Sequence, residues 1–355
     1  MAATELSEVL SSCLSCKACV TECPSNVDMA HLKAELVHAR HRERGPRWID
    51  RMVSASELMG RIGTLMPALA NTAMGWKWLR RLGQRFLGLH ADAPIPPFAR
   101  QRFDWWFQRR EFAPAAEGRR VILWDDTWVR YHEPSVGRAA VAVLEAAGLQ
   151  VVLVKDRVCC GRPAASRGLL DDLRRAAEHN VGILRGSSEK IVFLEPSCWS
   201  VFVDEYRQLG VVGADEVADR CVLFEDFVVD LLEDALLVSS MIGPVGKVVV
   251  HGHCHAKALS EPKSALAILD RLPGASPRLL DTGCCGMAGA FGMLSDHREL
   301  SHQVAAPLIS AIEALPTDTA VVASGTSCRH QIADLTDARP LHLAEFIANY
   351  LRDPV

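Results

Sequence analysis

An internal repeat constrains this chain more than any other feature. VILWDDTW at 121 pairs with VVVHGHCH at 248, and KDRVCCGRPAA at 155 with LLDTGCCGMAGAFG at 279. IVFLEPSCWSVF at 191 pairs with VVASGTSCRHQI at 321, and LFEDFVVDLL at 223 with HLAEFIANYL at 342. Four matches in one order make the C-terminal two-thirds a tandem duplication of one supersecondary unit. Within each copy, short β-branched runs alternate with helical stretches, the pattern of α/β units. Residues 1–115 differ: MAHLKAELVHARH and GWKWLRRLGQRFLGL carry helical apolar spacing, and Pro46, Pro67, Pro94, Pro96 and Pro97 punctuate them. Boundaries at 1–115, 116–240 and 241–355 follow.

Twelve cysteines in 355 residues are too sparse for a disulfide scaffold, and a chain of this length buries a core without one. They are also clustered, with four in the first 25 residues and two adjacent pairs later. Metal or redox chemistry is the reason to keep them so. A net charge of −4, from 39 basic and 43 acidic residues, gives no global field for nucleic acid. The N-terminus has no secretory pattern, and no stretch approaches the ~20 apolar residues that cross a bilayer. A cytoplasmic, thiol-preserving location is expected, with peripheral contact at the inner face of a membrane left open. The arginine-rich zone from 33 to 120 holds Trp48, Trp76, Trp78, Trp105 and Trp106. It reads either as a docking face for a partner or anionic membrane surface, or as a solvated helical bundle.

Cys13, Cys16, Cys19 and Cys23, followed by Pro24, spell the bacterial ferredoxin run for a [4Fe–4S] cluster. A tight loop with a thiol every third residue turns successive thiolates toward one centre, and soft thiolates suit iron–sulfur clusters. Zinc is the competitor, but it more often takes two separated C-x2-C knuckles. In two-cluster ferredoxins the fourth cysteine of such a run ligates the other cluster. Here there is one run. Either Cys23 closes its own cubane, or a cysteine from the repeats does.

The repeats carry Cys159-Cys160-Gly161 and Cys284-Cys285-Gly286 at equivalent positions. Cys254 and Cys328 bring the second unit to four thiols, and these are assigned to a second cofactor-binding set. The first unit has Thr127 in place of Cys254 but keeps Cys198, so Cys159, Cys160 and Cys198 form a degenerate set. The glycine after each pair lets the backbone come close to a cluster. Buried free cysteine is the alternative reading of both sets, and Cys221 is assigned to the core. His251, His253 and His255 flank Cys254; on a strand end they share a face, as metal ligands or proton carriers, or they simply hydrogen-bond beside a cluster.

The whole pattern resembles the cysteine-rich CCG domain, found in tandem in a heterodisulfide reductase component and in iron–sulfur components of glycolate and lactate oxidases. In that family a helical, ferredoxin-like N-terminal domain precedes two such units. SCLSCKACVTECPSNVDM, HGHCHAKAL, DTGCCGMAGAFG and GTSCRHQI are most similar to the C-terminal iron–sulfur half of FAD-linked D-2-hydroxyacid dehydrogenases of the D-2-hydroxyglutarate and D-lactate type. A full unit of the family supplies five cysteines for a noncubane cluster. Here Gly325 stands for one of them in the second unit, and Thr127 and Glu195 for two in the first.

No Gly-rich dinucleotide fingerprint follows a predicted strand, and no segment is left over for a flavin domain. Accepting a hydride requires such a cofactor, whereas clusters carry single electrons. The resemblance therefore implies an electron-transfer subunit or domain with one 4Fe–4S cluster and room for a second. FAD belongs to a partner subunit or fused domain, and a quinone, cytochrome or soluble carrier accepts the electrons. A heterodisulfide-type thiol enzyme is the alternative.

Overall fold

The computed structural model describes residues 2–111, 119–232, 237, 240–260 and 263–352. The expected boundary at 115/116 lies outside those residues. Each repeat builds its own parallel sheet. In the first, β1 (Arg120–Trp124) lies between β2 (Gln150–Leu153) and β3 (Ile191–Phe193), with β4 (Cys221–Leu223) beyond β3. In the second, β5 (Gly246–Val250) lies between β6 (Ala275–Leu279) and β7 (Ala320–Val322). The second unit keeps a trace of a fourth strand: Val322 bridges Leu341 in parallel, where the first unit pairs Val192 with Val222.

Strands covered on both faces read as continuous apolar runs. Val121, Leu123, Val192, Val248, Val250 and Val322 accordingly share one core that spans both units. The helices between the sheets pack reciprocally. Helix Pro134–Ala146 of the first unit lies on helix Leu343–Ala348 of the second, and helix Phe224–Leu231 of the first on helix Ser264–Leu269 of the second. This exchange gives the pair of units an approximate two-fold relation. Cys221 sits in β4, its thiol directed to the Val217 carbonyl at 3.2 Å.

The N-terminal region is helical, with eight helices among the described residues from Ala2 to Arg109. Asp28 caps helix Met29–Arg44 by accepting the His31 N–H at 2.9 Å, and Gly45 at φ 75° ends it. Pro67 opens helix Pro67–Met74 in its first turn, where the missing N–H costs nothing. The region contacts both units. Arg157 is buried between Glu57 at 2.9 Å and Asp125 at 3.6 Å, tying it to the first. An antiparallel bridge joins Leu89 to Leu294 of the second, with His90 N–H donating to the Met293 carbonyl at 2.8 Å.

Candidate functional site

All thiols of the second unit stand on the loops and first helical turns that follow the C-terminal ends of its three strands, the usual place for ligands in parallel sheets. After β5 the chain passes His251 and His253 into helix Cys254–Leu259. The loop after β6 carries Cys284-Cys285-Gly286, and helix Thr326–Leu335 after β7 carries Cys328. The side chains form a line: Cys254 donates to Cys284, Cys285 to both Cys284 and Cys328, and His251 closes on Cys328. Donation to Cys284, with burial, pushes the thiols of Cys254 and Cys285 up. Receiving those bonds holds Cys284 and Cys328 well below the usual thiol range. The Gly286 N–H also points at the Cys284 sulfur, 3.4 Å away. Gly286 itself is at φ 81°, and a side chain there would strike the Ser301 carbonyl. The close approach that glycine permits here is thus to helix Arg298–Glu313.

The ferredoxin run lies on a loop leading into the short helix Ala18–Glu22. Cys13 accepts the Ser15 N–H at 3.4 Å and Cys19 accepts the Met29 N–H at 3.3 Å. Cys16 lies within electrostatic reach of Cys284, Cys13 and Cys19, and burial raises its thiol. Ser15 and Lys17 take positive φ, and two buried groups hold the turn there. The Ser15 carbonyl is 3.0 Å from His255 Nε2, and the Lys17 ammonium sits among Asp204, Glu205 and Asp28. Lys33 donates to the Cys13 carbonyl. Sequence reasoning passed over Lys17 and Lys33; a lysine inside the cysteine run was the available signal. The sulfur of Cys23 faces the backbone N–H groups of Val27, Ser25 and Asn26, which hold its thiol down.

The first unit is built on the same plan with different chemistry. Cys160 and Cys198 approach to 3.0 Å and Cys159 adjoins them. Where the second unit has His253, the first has Asp126, which caps the next helix through the N–H groups of Trp128 and Val129. Burial pushes Asp126 up to about 7. The hydrogen bond from Cys160 pulls Cys198 down, but burial and the charges of Asp126 and Glu195 take it up to about 12. Burial likewise raises Cys160, and Cys159 rises through its bond to Cys160. Glu195 accepts the Ser197 N–H of its own unit at 3.1 Å through one oxygen and the Thr326 N–H of the second unit at 2.7 Å through the other.

The three histidines lie past the end of β5 rather than on the strand, and each has its own partners. His251 Nδ1 is 3.3 Å from Thr282 Oγ1. His253 Nδ1 accepts the His255 N–H at 3.1 Å, capping its helix. His255 uses both ring nitrogens, on Ser200 Oγ and the Ser15 carbonyl, each at 3.0 Å. Burial, then Arg162, keeps it neutral by lowering it well below the usual imidazole range. Among the described residues no three His, Cys, Asp or Glu side chains are grouped as ligands of a single ion. The His253 ring fills the space that a side chain at Gly325 would take. An imidazole from the neighbouring loop therefore occupies the space beside Gly325. A group of thiols with backbone N–H donors aimed at their sulfurs fits an iron–sulfur cluster.

A family model described as a cysteine-rich domain, CCG, matches residues 127–202 and 248–333. A subunit of the anaerobic glycerol-3-phosphate dehydrogenase of Escherichia coli is 27% identical over 332 residues, covering 92% of this chain and 83% of that protein. The D-2-hydroxyglutarate dehydrogenase of Pseudomonas putida is 26% identical over 366 residues, covering 98% of this chain but 34% of the relative. The chain thus spans about a third of that enzyme. Lactate utilization protein A of Bacillus cereus is 30% identical over 183 residues, 49% of this chain and 74% of the relative.

Proposed function

This chain belongs to the CCG cysteine-rich domain family, and on that premise we propose that it is the iron–sulfur electron-transfer component of an FAD-linked dehydrogenase. The reading rests on one observation above all: the loop of the ferredoxin run is seated on the second unit, its Ser15 carbonyl 3.0 Å from His255 Nε2 and its helix Ala18–Glu22 packed on helix Cys254–Leu259. The cluster these thiolates hold supplies one-electron chemistry. The chain's own side chains bind it, keep water from Cys285 and Cys328, which are buried, and aim N–H groups at sulfur. The first unit, with protonated thiols beside two carboxylates, serves as scaffold. The division at 1–115, 116–240 and 241–355 separates a ferredoxin-like domain from these two units.

FAD sits on a partner subunit or fused domain and takes the hydride. The relatives are named for a glycerol phosphate and a 2-hydroxyacid, both secondary alcohols. A D-2-hydroxyacid is the proposed substrate of the partner, and a quinone, cytochrome or soluble carrier the acceptor. Partner docking is assigned to the helices from Ser56 to Leu87, which expose Leu65, Trp78 and Phe86 beside Arg81 and Arg85. Trp48 and Trp76 are exposed too, whereas Trp105 and Trp106 are half-buried against Arg102 and Phe103. No described helix is long and apolar enough to cross a membrane.

The anaerobically purified chain should be brown and contain iron with acid-labile sulfide. Cys16→Ser should remove most of the visible absorbance, and Cys159→Ser should leave it in place. Unchanged colour in the first variant would sink the iron–sulfur reading.

A further inference from the structure

We propose that Cys284, and not Cys23, is the fourth thiolate of the cluster built on Cys13, Cys16 and Cys19. This deepens the iron–sulfur reading and rests on it. A cubane takes one thiolate at each of four corners, and a single tight loop readily presents three of them. The fourth comes from whatever the loop faces.

What it faces is the second repeat. The Ser15 carbonyl, between Cys13 and Cys16, is fixed to His255 Nε2 at 3.0 Å. Helix Ala18–Glu22, which carries Cys19, packs on helix Cys254–Leu259. That docking brings Cys16 into electrostatic reach of Cys284 as well as of Cys13 and Cys19. Within the CCG pair the two thiols differ. Cys285 is 3% exposed and belongs to the core of the second unit with Cys328, while Cys284 is only partly buried. The Gly286 N–H aimed at Cys284 repeats the arrangement of Ser15 on Cys13 and Met29 on Cys19. Cys16 thus shares one surround with Cys254 and Cys284, and of these two Cys284 is the one at which a backbone N–H is aimed.

Cys23 is placed otherwise. It ends helix Ala18–Glu22 in an extended conformation, and its sulfur is met by N–H groups of its own following turn, from Ser25, Asn26 and Val27. With Cys284 committed to the first cluster, Cys254, Cys285 and Cys328 remain as the second unit's own set, beside His251. The cluster would then fasten the N-terminal domain to the second repeat.

The test uses the full chain, purified anaerobically and reconstituted with iron and sulfide. Iron and labile sulfide are counted, and the dithionite-reduced protein is studied by electron paramagnetic resonance. Cys284→Ser should lose the reduced-cluster signal or convert it to that of a three-iron species, while Cys23→Ser should keep it. Retention in Cys284→Ser together with loss in Cys23→Ser would overturn the assignment and leave the iron–sulfur reading standing. Unchanged iron in Cys16→Ser would overturn both. Should the variant at 284 fail to fold, the wild-type protein still decides. Iodoacetamide should modify Cys23 in the loaded chain and reach Cys284 only after iron is chelated. The reverse pattern refutes the proposal.

Discussion

Glu133 stands where the two repeats meet, and its surroundings decide its charge. Burial would raise its carboxyl, but Arg329 and His330 hold it down to about 2. His330 Nε2 lies 2.8 Å away, Arg329 makes an ion pair with it, and Thr326 Oγ1 is at 3.4 Å. A carboxyl whose folded pKa lies below its unfolded one stabilises the fold above the unfolded value, ~4.3. That stability is lost as the pH falls through the folded value. Glu133→Gln should therefore lower stability at pH 7 by about 2–4 kcal/mol, because it also leaves Arg329 buried without its ion-pair partner. In denaturation curves of variant and wild type, the gap should close between pH ~4.5 and ~2. A gap independent of pH would mean that the carboxylate has no part in joining the units. The same residue-level logic separates the two cysteine sets. Imidazoles of His251 and His253 border Cys328 and carboxylates of Asp126 and Glu195 border Cys198, so thiolate formation is helped at the first of these thiols and opposed at the second.

At the scale of elements, the loop after β5 and the helix after β7 compete for one volume. His253 caps helix Cys254–Leu259 and in doing so lays its ring where a side chain at Gly325 would go. Gly325→Cys, which restores the family's fifth cysteine, should cost about 1–3 kcal/mol through overpacking. Adding His253→Ala should recover part of that loss, because the ring is the obstacle. Additive effects in the double-mutant cycle would show that the two loops do not interact. The sequence made these elements legible as elements. Apolar runs such as VILW and VVV predicted the strands, and the order of the four matches predicted two copies. The seat of the His253 ring beside Gly325 was not legible, since the two residues are 72 positions apart and meet only because β5 and β7 pair side by side. Nor did spacing reveal that the histidines lie beyond the strand. Period-two alternation presumes that β5 continues, and it stops at Val250.

Over the whole molecule, the N-terminal helices bridge both repeats on one side and remain uncovered on another. Their contact with the repeats was not legible from the sequence, because the seat of the Cys13–Cys19 loop depends on His255 and Asp204, far along the chain. The uncovered side was half legible. The tryptophan and arginine content marked the zone, but only the fold shows that Trp105 and Trp106 turn inward while Trp78 and Phe86 do not. Helix Lys77–Leu87 carries Trp78, Leu82 and Phe86 at four-residue spacing, hence on one face. Phe86 is 70% exposed and Leu65, between helices Ser56–Gly63 and Pro67–Met74, 69%. Soluble monomers seldom leave so many large apolar side chains in water beside cations, whereas docking interfaces do. Replacing Trp78 and Phe86 together by Asp should therefore change assembly and little else. Iron content and absorbance should match the wild type, since neither residue approaches a thiol-bearing loop. Self-association of the isolated chain, read by light scattering, should fall. Capture of a flavin-containing protein from the native host, scored by flavin fluorescence of the bound fraction, should drop by at least ~10-fold, the effect of losing one aromatic anchor at ~1.4 kcal/mol or more. Full retention of flavin would place the dehydrogenase on another face of the molecule.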